Sequence, residues 1–151
     1  MSRSKVDFVA KGNTAQIEKF INYIMLDGKK TVARRNLNDT FELIKKKTGE
    51  NPRQVFEKAL QEAQPSMEVR AKRIGGSVYQ IPMQVKPFRQ FQLASRWILA
   101  AARSQKGTTF AQALANIIMQ TANGEGPAIK KKEDVHRMAQ ANKAFAHFAR
   151  Y

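Results

Sequence analysis

The stretch AKRIGGSVYQIPMQVKP, Ala71 to Pro87, alternates where the segments on either side have helical spacing. Tyr79, Ile81, Met83 and Val85 fall on one face of an extended strand, and Gln80, Pro82, Gln84 and Lys86 on the other. Upstream, Met67, Val69 and Ala71 alternate with Glu68, Arg70 and Lys72. Gly75-Gly76 supplies the positive dihedrals of a tight turn, so the segment from 67 to 86 reads as a β-hairpin. Pro82 is tolerable because a lone hairpin has only edge strands. Such a hairpin is marginal in water, so it must lean on a helix or be completed by a ligand. Its tip offers Lys72, Arg73 and two bare glycine backbones, which admit close approach of another backbone beside attraction for phosphate. The plain alternative is a solvated turn with ordinary basic residues.

Outward from the hairpin, apolar residues recur at helical spacing. Asn13 with Gln16 reads as the start of a first helix through Ile17, Phe20, Ile21, Ile24 and Met25, closed by Gly28. Ala33, Leu37, Phe41 and Ile44 form the second stripe. Asn51-Pro52 starts the third, through Val55, Phe56, Ala59, Leu60 and Ala63 to Pro65. Beyond the hairpin, Leu93, Ala94, Trp97, Ile98 and Ala101 form the fourth, with the Trp97 ring in the core. Thr108 or Thr109 opens the fifth, ending at Gly124, and the sixth runs from about Lys132 past Phe148. The expected fold is mainly α: a six-helix bundle with one protruding β-hairpin between the third and fourth helices. At 151 residues the chain is expected to be one domain, with residues 1–12 a short basic arm.

The charge is unevenly placed. The net charge is +15, and there is no cysteine, which removes disulfides and thiolate metal sites and fits a reducing compartment. From Val69 to Gly124 there is no acidic residue in 56 positions, whereas Thr31–Glu68 carries seven basic and six acidic residues. A merely soluble surface mixes both signs. The imbalance points to a polyanionic partner and one face committed to phosphate. No apolar run approaches the roughly 20 residues needed to span a bilayer, and MSRSKVDFVAKG has no apolar signal core.

Arg89, Arg96 and Arg103 are spaced by sevens, and seven residues fall about 20° short of two turns, so all three lie on one stripe. No acidic residue stands at i±3 or i±4 to pair them, unlike an ordinary solvated face. Lys130-Lys131-Lys132 precedes the sixth helix, with Glu133 and Asp134 expected in its first turn; a solvated loop explains that triplet equally well. His136 and His147, the two histidines, are expected on one helix about 16 Å apart, too far to share a metal. GEGPAIKKK lacks the spacing of a phosphate-binding P-loop. No catalytic constellation, metal site or cofactor is expected. A nucleic-acid-binding protein is the reading, with an architectural DNA-binding protein as the rival.

MEVRAKRIGGSVYQIPMQV, LASRWILAAAR, KKKEDVHRMAQANKAFAHF and FINYIMLDGKK strongly resemble the bacterial and organellar family of small-subunit ribosomal protein seven, over roughly Gln16 to Phe148. The resemblance implies a helical bundle with a protruding hairpin that binds the RNA of the small-subunit head and nucleates its assembly. It implies a place beside exit-site transfer RNA and the messenger path, next to small-subunit ribosomal protein eleven, in the cytoplasm or an organelle. It places ribosomal RNA contacts on Lys29, Lys30, Arg34, Arg35, Arg70, Lys72, Arg73, Arg89, Arg96, Arg103, Lys130, Lys131 and Lys132. It places Gly75, Gly76, Tyr79, Arg137, Asn142 and Lys143 toward the transfer RNA and messenger. Family members usually begin with a longer arginine-rich arm; here Arg3, Lys5 and Lys11 stand in that place as expected ribosomal RNA contacts, and no long extension is expected beyond Tyr151.

Overall fold

In a computed structural model that describes residues 13–150, six α-helices, one 3₁₀ helix and one antiparallel strand pair follow one another along the chain. They are α1 (Ala15–Ile24), α2 (Lys30–Thr48), α3 (Pro52–Ala63), β1 (Met67–Ile74), β2 (Ser77–Gln84), α4 (Pro87–Ser104), α5 (Phe110–Ala122), α6 (Pro127–Ala141) and a terminal 3₁₀ helix (Lys143–Arg150). The expected mainly helical bundle with a hairpin between α3 and α4 is the observed one. Arg3, Lys5 and Lys11 lie outside the described residues.

Local chemistry sets the helix ends. Asn51 caps α3 by accepting from the Arg53 backbone N–H at 3.1 Å, with Pro52 at the first helical position. Thr109 and Gln112 form a reciprocal capping box on α5. The cap of α1 is Thr14, whose Oγ1 accepts from the Ile17 N–H at 3.3 Å, and not the expected Asn13. Asn13 instead donates to the carboxylate of Glu18 at 2.8 Å. That helix also ends earlier than expected, at Ile24, and the chain turns through Asp27 and Gly28, both at positive φ, into α2.

The apolar stripes converge on one core. Phe20, Phe56, Ile17, Ile21, Leu37, Ile44, Ile98, Leu114, Ile117 and Ile118 are fully buried. Phe56 takes the edge of Phe20 at 4.9 Å between centroids and that of Phe41 at 5.7 Å, the geometry aromatic quadrupoles favour. Trp97 packs against this core from its margin, half-buried, where the sequence placed it inside.

Two expectations about α6 fail. The helix starts at Pro127, behind Gly126 at φ +90°, so Lys130–Lys132 stand in its opening turns rather than in a loop before it, and Glu133 and Asp134 lie beyond its first turn. It stops at Asn142, and His147 belongs to the 3₁₀ helix, so the two histidines do not share one helix. Beyond the break the chain packs on the hairpin. Phe145 and Phe148 set their rings 5.3 Å and 5.4 Å from that of Tyr79. In a 3₁₀ helix residues three apart eclipse, which lets both rings meet one tyrosine.

The hairpin therefore leans on its own chain, α6 and the 3₁₀ helix. Gly75 and Gly76, at φ +59° and +87°, form a two-residue turn with both φ values positive, the primed type that suits strand twist. The resulting register pairs Glu68 with Met83, Arg70 with Ile81 and Lys72 with Tyr79. Cross-strand partners share a face, so the apolar side of β2 lies opposite the charged side of β1. Ile81 and Pro82, on opposite faces, are both buried, since helices cover the hairpin on more than one side.

Candidate nucleic-acid interface

The basic residues divide by what holds them. At the root of the hairpin, Glu68 is 8% exposed. Its carboxylate accepts from Arg70 (Nη2 at 3.1 Å) on its own strand and from Arg89 (Nε at 3.3 Å) on α4. Arg89 also donates to the Gln92 side chain at 2.8 Å. One carboxylate thus ties β1 to α4 and partly neutralises two cations that the sequence left free. The acid-free run begins one residue after it.

Farther along α4 the stripe splits. Arg103 donates to the backbone carbonyls of Tyr23 and Ile24 at 3.3 Å and 3.1 Å, satisfying the C-terminal end of α1. Arg96 is exposed and has no hydrogen-bond or ion-pair partner among the described residues. Lys72 and Arg73, approaching the hairpin tip, are unpartnered in the same way, and Arg73, Gly75 and Gly76 are exposed.

A second carboxylate organises the start of α2. Glu18 is buried and accepts from Arg34 Nη2 at 3.1 Å, with Lys30 Nζ at 3.8 Å. Burial alone pushes the Glu18 carboxyl up; hydrogen bonds from Asn13 and Arg34, and the charges of Arg34 and Lys30, outweigh it and hold it below the ordinary carboxylate value. Lys29 and Arg35 are exposed and unpartnered among the described residues. On α6, Lys132 donates to the carbonyl of Glu62 at 2.6 Å, at the C-terminal end of α3, where a cation suits the helix dipole. Lys130 and Lys131 face solvent.

The side expected to face transfer RNA is partly structural as well. Tyr79 is clamped by the two phenylalanines. Asn142 caps α6, its side chain donating to the Met138 carbonyl at 2.8 Å. Arg137 pairs with Asp134 at 3.2 Å in an exposed ion pair. Lys143 lines a groove of about 470 Å³ with Ser66, Met67, Pro82 and His136. There His136 Nε2 accepts from the Ser66 backbone N–H at 3.1 Å, which requires the neutral ring. Burial, and then the charge of Lys132, hold His136 below the ordinary imidazole value.

Sequence reasoning missed two features. Glu68 as a tie between elements has no local signal, because its partner Arg89 is 21 residues away. Phe88, outside the stripe read for the fourth helix, is exposed and lies under Lys19 of α1. Among the described residues no group of three or more His, Cys, Asp or Glu could hold a metal, and no helix is long and apolar enough to cross a membrane.

This geometry leaves Lys72 and Arg73 on the hairpin and Arg96 on α4 as cations without a partner among the described residues. A family model described as ribosomal protein S7p/S5e matches residues 2–143. A small ribosomal subunit protein uS7 of Moorella thermoacetica is 49% identical over 137 residues, 91% of this chain and 87% of that one. The uS7 protein of Lactobacillus johnsonii is 50% identical over 136 residues, 90% of this chain and 87% of its own. That of Helicobacter hepaticus is 48% identical over 136 residues, 90% and 88% of the two chains.

Proposed function

Because the chain belongs to the ribosomal protein S7p/S5e family, we propose that it is a structural constituent of the small ribosomal subunit and binds the subunit's RNA directly. The observation that carries the mode of binding is the acid-free run. It folds into most of the hairpin, α4 and α5, and Lys72, Arg73 and Arg96 emerge from it with no partner among the described residues. Such cations displace counterions from phosphate, so affinity falls as salt rises. Lys29, Arg35, Lys130 and Lys131 extend the phosphate-binding set. Arg34, Arg70, Arg89, Arg103 and Lys132 hold protein groups as well, and reach RNA with only part of their donors.

The role is structural rather than catalytic, and the place is the ribosome. In finer detail, the RNA bound is that of the small-subunit head, whose assembly the protein nucleates. The hairpin tip at Gly75 and Gly76, with Arg137 and Lys143, faces exit-site transfer RNA and the messenger, and small-subunit ribosomal protein eleven is a neighbour. Tyr79 and Asn142 serve that side by holding the hairpin and α6 in shape. Residues 1–151 are read as one RNA-binding domain, and the single core shared by the described residues supports that reading.

The experiment is binding of the purified chain to head-domain ribosomal RNA and to duplex DNA of equal length in matched salt. Preference for the RNA is expected. Equal affinity would favour an architectural DNA-binding protein.

A further inference from the structure

Phe88 stands in the first turn of α4, 61% exposed, while Phe91 one turn on is 7% exposed and packs into the core. Lys19 of α1 holds its ammonium 4.1 Å from the Phe88 ring centroid, covering one ring face. Lys19 has no carboxylate partner among the described residues. On the helix surface Phe88 lies within about 80° of Arg96 and about 12 Å along the axis from it, so the ring borders the arginine stripe. Lys86, two residues before it, and Arg89, directly after it, are both cationic.

We propose that Phe88 is a stacking platform for one unpaired nucleobase of the bound RNA. The inference rests on the RNA-binding reading above and adds a base contact to a set made of phosphate contacts. A nucleotide matches both halves of the site. Its base has a flat face for the uncovered side of the ring, and its phosphate meets the ammonium of Lys19. The cation–π contact with Lys19 also steadies the ring before the base arrives. A protein partner fits less well. Covering this isolated ring with an apolar protein surface would strip water from Lys19 and Lys86 without the compensating charge that phosphate brings.

The test uses the full chain with the head fragment of small-subunit RNA. The complex is irradiated with ultraviolet light and digested, and its peptides are searched by mass spectrometry for a nucleotide adduct; in parallel, affinities of Phe88→Leu and Phe88→Tyr are measured. An adduct on Phe88 is expected. Phe88→Leu should bind about 5- to 150-fold more weakly, the range for one base–aromatic stack, with an unchanged salt slope because no charge is lost. Phe88→Tyr should bind like the parent, and all three should melt alike, since the ring is mostly exposed. Parental affinity in Phe88→Leu overturns the proposal, with or without an adduct. Parental RNA affinity combined with loss of a protein neighbour from reconstituted particles also overturns it, and makes the ring a protein contact. Failure of the parent chain itself to bind the RNA refutes the broader reading and this inference with it.

Discussion

Replacing Glu68 by glutamine should weaken the fold and strengthen RNA binding at once. In the parent, this carboxylate holds Arg70 and Arg89 with side-chain exposures of 60% and 36%, while its own is 11%. Breaking a fully buried ion pair by removing one partner costs about 3–5 kcal/mol. Here both arginines keep access to water, and screening reduces the loss to about 1–2 kcal/mol. For a chain of this size that lowers the melting temperature by about 2–8 °C. The glutamine carbonyl still accepts from one arginine, so the hairpin root should keep its shape. On the RNA side, the substitution removes one negative charge beside two cations. One further phosphate contact steepens the salt dependence by about 0.7–0.9 in log–log slope. Across about 50 to 200 mM salt, that is about a threefold larger drop in affinity. The assay is filter binding to head-domain RNA over a salt series, with thermal melts on the same samples. Weaker binding at every salt concentration, with an unchanged slope, would refute the reasoning. It would mean that Glu68 aims the arginines at RNA and that their partial neutralisation is immaterial.

Four further outcomes are expected. Arg96→Ala should lower RNA affinity and reduce the salt slope by about one contact without changing the melting temperature, whereas Arg103→Ala should also destabilise the free protein, because the carbonyls of Tyr23 and Ile24 lose their donor; equal melting of the two variants would contradict this. Trp97→Ala should cost about 2 kcal/mol in urea unfolding, below the roughly 3–5 kcal/mol of a fully buried aromatic, since the ring sits at the core margin; unchanged stability with lost RNA affinity would make it a base contact. His136 is held below its ordinary value of 6.5, so the stability its neutral ring supplies is full above that value and is lost as pH falls through the folded one; the melting temperature should drop more between about pH 7.5 and about pH 5 in the parent than in His136→Gln, which accepts from Ser66 without titrating. Shortening the hairpin tip between Ile74 and Val78, with Tyr79 kept on its two phenylalanines, should leave entry into small subunits intact while exit-site occupancy suffers; failure to assemble the head would make the tip an assembly anchor.

Much of the fold was legible because its signals are local. Gly75-Gly76 and Asn51-Pro52 each act within four residues and mark the boundary they suggest, and of the two threonines offered for the fifth helix Thr109 is the cap. Alternation located the strands but not their register. Only the two-residue turn shows that the apolar side of β2 faces the charged side of β1. The start of α6 was missed because its opening turns carry three lysines in place of an apolar stripe, although Gly126-Pro127 is a helix-start signal of the kind that located α3. Its end was missed because Phe145 and Phe148 keep helical spacing, while their packing on Tyr79 is a tertiary contact with no local signal. For the interface, the stripe of Arg89, Arg96 and Arg103 was legible as a row. Its division into tied and free cations was not, since Glu68 and the end of α1 come to α4 only through the tertiary fold.

The most direct test of the central claim is mass spectrometry of the small-subunit peak from a sucrose gradient of cells that make this protein. The chain should be present in stoichiometric amount with the other small-subunit proteins, and should stay with the particle at salt that strips loosely held factors. Recovery only in the slow-sedimenting fractions, with small subunits that lack it, would contradict its role as a constituent of the subunit.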